Sequence, residues 1–323
     1  MRAVRVDGPG EVTLAELPEP VGRPDEVTVR SAVVGVCATD RRLVARGADP
    51  PRVPGHEVVG YLPDGTVVGV HPNIGCGACP TCRSGWDNRC PTGVSIGLGR
   101  DGGLAELLSV PARHVVPLAG LEVTHGAFLE PLACCLHAVD QLGVRPGERA
   151  LVVGAGPMGV LAMWALQAAG ATVAVAQRSP ARRDLATRLG ADAVVGSGED
   201  PAPALGGSPT VAVVSAPGSR SLDDAVRTVA VGGRVHVFAG TSGGARVDAN
   251  VVHYRHLTVM GSTGSRLSDY RRAVALAGAG EIDLSRLPRT IEYLDDAPEH
   301  LRQPPDDAFK VLVRTGPDPE EVG

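Results

Sequence analysis

Over the first 36 residues the apolar positions come in short runs, at 3–6 and 27–34, broken by Gly8-Pro9-Gly10 and by the prolines between Pro18 and Pro24. Short runs rich in Val and Ala, closed by Pro and Gly corners, predict small strands of an irregular all-β unit. The same character returns over 58–70, folded about a turn at Pro63-Asp64-Gly65, and again over 115–118. The character changes near Gly126. Residues 126–139 predict a helix, with Pro131 suited to a first turn, where a missing amide hydrogen costs nothing.

From Arg149 strand and helix alternate. Residues 149–153 form a continuous apolar run of the buried-strand kind, and Gly154-Ala155-Gly156-Pro157-Met158-Gly159 leads into an apolar helix, 160–169, stopped at Gly170. A second strand follows at 172–176, and further strands are expected at 193–195, 211–215, 234–238 and 257–260, separated by segments compatible with helices. Together they predict six parallel strands of a doubly wound sheet, hence an α/β fold beside a β-rich unit. Beyond a helix at 271–279 the chain returns to β character at 287–293 and 310–314, and 316–323 should fray. The boundaries drawn this way are 1–138, 139–268 and 269–323.

Composition narrows the class. With 323 residues, 43% of them hydrophobic, the chain can fill one large or two ordinary cores. A net charge of −5, without any block of like charges, argues against nucleic acid or an anionic membrane as partner. Neither an apolar leader core nor a run long enough to span a bilayer is present, so a soluble, cytoplasmic protein is expected. Basic charge is carried by arginine throughout, with Lys310 the only lysine. Seven cysteines are an odd number and four crowd into 76–90, which in a reducing compartment points to metal rather than disulfides.

Three constellations carry chemistry. Cys37 and the pair His56-Glu57 offer a thiolate, an imidazole and a carboxylate, which only a folded domain could gather at Zn–S and Zn–N distances of about 2.3 and 2.1 Å. Cys76, Cys79, Cys82 and Cys90 have the spacing C-x2-C-x2-C-x7-C, a closed tetrahedral thiolate set that suits a structural zinc. A nucleic-acid zinc ribbon would instead show two separated C-x2-C pairs in basic surroundings. Gly154, Gly156 and Gly159 stand between strand and helix, where helix N-terminal amides hold a pyrophosphate. The second strand ends at Gln177, where an NAD-binding unit carries an Asp or Glu for the ribose hydroxyls. With no carboxylate to repel a 2′-phosphate, and with Arg178 and Arg182 following, NADP is expected in preference to NAD, which remains possible.

Cys37-Ala38-Thr39-Asp40, Gly55-His56-Glu57, the four-cysteine lobe and Glu130-Pro131-Leu132, in that order, resemble the zinc-containing medium-chain dehydrogenase/reductase family, on its polyol dehydrogenase side. The resemblance covers nearly the whole chain. One departure is the segment between Gly55-His56-Glu57 and the cysteine lobe, which is shorter than the family's. The resemblance implies a GroES-like catalytic domain beside a Rossmann domain, with the tail rejoining the former. It implies an enzyme that interconverts a secondary alcohol, of polyol, sugar or cyclitol type, and its ketone by hydride transfer. By the same resemblance the catalytic zinc has Cys37, His56, Glu57 and Glu130 at or near it, Thr39 relays the hydroxyl proton, Asp40 orients His56, and the chain forms a homodimer or homotetramer. Glu130 would also suit its helix N-terminus as a cap. Two other readings stay open: a dehydrogenase of an amino alcohol or hydroxy amino acid, like the threonine dehydrogenase relatives, and a non-catalytic NAD(P)-binding redox sensor. The presence of both Cys37 and His56 counts against the second.

Overall fold

The computed structural model describes residues 1–118, 120–240, 244–305 and 308–316, so the expected frayed end lies, beyond Gly316, outside the described residues. The chain forms two compact units: Met1–Ala133 with Ser265–Gly323, and Cys134–Gly264. It leaves the first unit within the helix Leu129–Leu142 and re-enters at Ser265.

The first unit is built on the strand Glu26–Gly35. Along one side it pairs with Leu107–Pro111 and Val311–Arg314, along the other with Glu57–Tyr61, all antiparallel, and its register shifts between Ser31 and Val33. Val67–Val70, Val115–Pro117 and Thr290–Tyr293 complete the sheet. Alternate apolar residues such as Val29, Val58, Val68, Val70, Val110, Val311 and Val313 fill one core, the burial that fixes a strand's register. That register sets Gly35 opposite Glu57 and ends the loop carrying Lys310 beside both. A Cβ on Gly35 would fall 2.0 Å from Glu57 Oε2, so only glycine lets the carboxylate lie across the strand.

Thr39 and Asp40 lie in the first turn of a helix, Ala38–Arg46. The Asp40 carboxylate accepts the Cys37 amide hydrogen at 2.9 Å, satisfying a donor that the helix start leaves unpaired, while Leu43 and Val44 supply the buried face. The same device starts the helix Leu267–Gly278 earlier than residue 271: Asp269 accepts from the Arg266 amide at 2.9 Å.

Ser265 is anchored by a buried pair of histidines. His71 Nε2 donates to the Ser265 carbonyl at 2.9 Å, so its Nδ1, 3.2 Å from His114 Nδ1, accepts the proton of that ring. The rings stack at 8°, and Tyr270 meets His71 edge-on. Burial pushes both imidazoles down to about 4. Their unfolded value is about 6.5, so between these limits the unfolded chain binds more protons than the folded one. Stability should be full above pH 6.5 and fall as pH drops towards 4, at up to about 2.7 kcal/mol per pH unit if both rings charge on unfolding. Urea titrations from pH 7 to 4.5 should show this slope, and His114→Asn should halve it. A variant with an undiminished slope would assign the acid sensitivity elsewhere.

The second unit is a six-stranded parallel sheet in the order Ala193–Val195, Thr172–Ala176, Arg149–Val153, Val211–Val214, Arg234–Val237, Thr258–Gly261. Strand order reverses between Arg149–Val153 and Val211–Val214, the switch point at which doubly wound sheets bind nucleotides. The helix Pro157–Ala168 is buried from Gly159 to Leu166, which explains its nearly continuous apolar sequence. Among the described residues no helix is long and apolar enough to cross a membrane.

Candidate functional site

In the first unit, one donor atom each from Cys37, His56 and Glu57 lies within 4.8 Å of the others. Cys37 is the N-cap of the helix Ala38–Arg46, and Glu57 opens the strand Glu57–Tyr61. Asp40 Oδ1 meets His56 Nδ1 at 3.1 Å and accepts from the Gly55 amide at 3.1 Å. With Nδ1 so engaged, Nε2 is the nitrogen left for a metal, and the carboxylate behind the ring raises its basicity. Burial alone would push His56 down, but the charge and hydrogen bond of Asp40 and the nearby Cys37 outweigh it and hold the imidazole well above its usual value. Burial likewise opposes ionisation of Asp40, and His56 with the two amides holds that carboxyl low. Thr39 Oγ1 accepts from Arg42 Nη2 at 2.9 Å, leaving its own proton to donate elsewhere.

Glu57 is 1% exposed and Lys310 6%, and they form an ion pair at 2.7 Å to Oε1 and 2.5 Å to Oε2. The ammonium thus contacts both carboxylate oxygens, with hydrogen-bond geometry to Oε1. Burial works against the Lys310 charge, and Glu57 restores it, keeping the ammonium protonated. A thiolate, an imidazole and a carboxylate fit zinc in type and number, with one position left over. Glu130 is buried at the start of Leu129–Leu142, where its charge reaches the Tyr270 hydroxyl, and it stands outside this group of donors.

Cys76, Cys79, Cys82 and Cys90 form the second donor group. Sulfur separations of 4.0 Å for Cys76 to Cys82 and 3.9 Å for Cys79 to Cys90 approach the edge, about 3.8 Å, of a tetrahedron with 2.3 Å bonds. The amides of Cys76, Cys79 and Cys82 donate to the sulfurs of Cys90, Cys76 and Cys79 at 3.4, 3.3 and 3.4 Å, which favours thiolates. The Cys76 amide and the Thr92 hydroxyl hold the Cys90 thiol down at about 6.

In the second unit the glycines do three different jobs. Gly154 has a φ of +105°, and a Cβ there would press on Ser215 Oγ at 2.9 Å. A Cβ on Gly159 would sit 2.0 Å from the Gly154 carbonyl, so only glycine lets the helix close on the strand. Gly156 faces space whose nearest atom is Arg182 Nη1, 3.8 Å from where a Cβ would stand, a bare surface for a pyrophosphate at a helix N-terminus. The Met158 carbonyl accepts from Cys135 Sγ at 3.5 Å, fixing the first turn of that helix. Gln177 Oε1 accepts from the Arg178 amide at 2.9 Å, and Arg183 Nη1 donates to the carbonyls of Gln177 and Arg178 at 3.3 Å, which shapes the loop and leaves the exposed Arg178 side chain pointing outward to solvent.

Residues 23–120 match the family model described as alcohol dehydrogenase GroES-like domain, and residues 157–279 the one described as zinc-binding dehydrogenase. The chain is 35% identical to L-galactonate-5-dehydrogenase of Escherichia coli (strain K12) over 85% of its own length and 86% of that protein's. It belongs to the zinc-containing medium-chain dehydrogenase/reductase family. The dehydrogenase is 36% identical to D-altritol 5-dehydrogenase of Agrobacterium fabrum, over 62% of its length and 65% of that protein's. It matches, with a TM-score of 0.88 and 31% identity over 97% of its chain and 98% of the other, a Sinorhizobium meliloti 1021 protein described as a zinc-binding dehydrogenase bound to NADP. It is thus a zinc-type, NAD(P)-dependent alcohol or polyol dehydrogenase with GroES-like and Rossmann domains. Sequence reasoning did not find Lys310 as the partner of Glu57, or Arg42 as the donor to Thr39. The lone lysine of an arginine-rich chain was the available signal for the first.

Proposed function

We propose that this dehydrogenase interconverts a secondary hydroxyl of a polyol or sugar acid and its ketone with NADP(H), on a catalytic zinc at Cys37 and His56, and that the cysteine lobe holds a second, structural zinc. The convergence of Cys37, His56 and Glu57, with Asp40 behind His56, carries the reading, because three donors leave a coordination position that four thiolates do not. When bound, zinc would acidify the alcohol, as it takes a water pKa from about 15.7 to about 7, and the nicotinamide would accept the hydride. Asp40 fixes the His56 tautomer. Thr39, with a lone pair occupied by Arg42, hands the substrate's hydroxyl proton outward. Glu57 and Glu130 are the carboxylates proposed to lie at the metal, one of them exchanging with water. Assembly as a homodimer or homotetramer rests on family resemblance.

A panel of polyols, sugar acids, cyclitols and L-threonine, assayed with each coenzyme by nicotinamide absorbance, tests the reading. Turnover of polyols or sugar acids with NADP is expected, and turnover of L-threonine alone would replace it with the hydroxy-amino-acid alternative. The NADP preference is supported by Gln177, by Arg178 and by Arg182 beside the glycine turn. A charge-assisted hydrogen bond contributes about 1.5–3 kcal/mol, so Arg178→Ala should raise the KM for NADP about ten- to a hundredfold and hardly change that for NAD. Equal use of both coenzymes by the wild type would refute the preference.

A further inference from the structure

Arg41 is the basic side chain beside the donor cluster that none of these roles uses. It stands one helical turn beyond Cys37 on the same face of Ala38–Arg46, close enough for its charge to act on both Cys37 and Asp40. It is half-buried, its Nε is enclosed without an acceptor, and it makes no ion pair or hydrogen bond through its side chain among the described residues. Other arginines of this unit are paired: Arg2 with Glu106, Arg52 with Asp101, Arg100 with Glu26. The carboxylates nearest Arg41 are committed, Asp40 to His56 and two amides, Glu57 to Lys310. Burial draws the guanidinium down from its usual value, and the Cys37 and Asp40 charges oppose that.

We propose that Arg41 is an oxyanion-binding residue of the substrate site and that its ligand is the carboxylate of a sugar-acid substrate. The inference rests on the function proposed above and narrows its substrate class from polyols in general to their acids. A guanidinium fork donates two parallel hydrogen bonds to a carboxylate, and the positive end of the helix dipole adds to the attraction. The exposed part of the guanidinium has no acceptor in the free protein and gains one when such a ligand arrives, so the group discriminates against neutral polyols. A phosphate of the coenzyme shares this chemistry and is the other source the experiment must separate.

The test compares wild type, Arg41→Met, which keeps the stem and loses the charge, and Arg41→Lys, which keeps the charge and loses the fork. Kinetics are measured with a hexonate and with the hexitol of the same configuration. Hexonate and NADP binding are each read separately by tryptophan fluorescence, which needs no turnover. Arg41→Met should raise the hexonate KM and Kd at least tenfold, leave hexitol kinetics and the NADP Kd within twofold, and be partly rescued by lysine. Hexitol turnover also shows that the variant is folded. A tenfold loss of NADP affinity with both substrates affected alike would move the oxyanion to the coenzyme and overturn the carboxylate assignment. Unchanged binding of both ligands would overturn the site altogether. A wild type that binds hexonate through Arg41 but oxidises neither compound would uphold the site and sink the reaction.

Discussion

Cys37→Ala should lower turnover about a thousandfold or more and remove one of two zinc equivalents, while the urea midpoint moves little. Lewis-acid stabilisation of developing charge contributes several kcal/mol, and about 4 kcal/mol corresponds to a factor of a thousand. The fold should survive because the cap of Ala38–Arg46 depends on the Asp40 carboxylate and the Cys37 backbone amide, both of which alanine leaves in place. Cys90→Ser makes the contrast: the lobe has little apolar core of its own, so metal binding there is folding energy and stability should drop with the metal. Metal analysis, turnover and urea melts on the two variants separate these roles. Full activity in Cys37→Ala would end the assignment of a catalytic metal to this cluster.

The second large effect concerns stability. In the zinc-free protein Lys310→Met should cost about 3–5 kcal/mol, because it leaves the Glu57 carboxylate buried without its counter-ion. Lys310→Met combined with Glu57→Gln should recover most of the stability, since neither charge then remains. Urea midpoints of the two single variants and the double variant at pH 7 check this. Additive losses in the double variant would show that the two groups contribute independently.

What could be read from the sequence was what chemistry or burial prints locally. The cysteine lobe has its spacing, Gly154, Gly156 and Gly159 have theirs, and buried strands such as Arg149–Val153 are apolar throughout because both faces are covered. The helix Ala38–Arg46 was missed because Asp40 reads equally well as a turn former and as a cap, and only the bond to the Cys37 amide distinguishes them. Lys310 and Glu57 lie on segments far apart in sequence, and their meeting depends on strand register that no local pattern reveals. Arg41 looks like any solvated charge until its neighbours prove to be committed elsewhere. Glu130 was assigned to the metal by resemblance alone, and its position near Tyr270 follows from helix packing that residue identity does not specify.

The division of the first unit has a consequence for how the chain is made. Its central strand, Glu26–Gly35, leaves the ribosome long before its neighbour Val311–Arg314 is synthesised. At about 5–20 residues per second, that edge waits for some tens of seconds with its backbone groups unpaired. Cys134–Gly264 is contiguous and has all its sheet partners as soon as it emerges. A nascent chain halted before Lys310 therefore carries every residue of the glycine turn and all six parallel strands, but has a Glu57 with no cation and a sheet with an open seam beside Gly35.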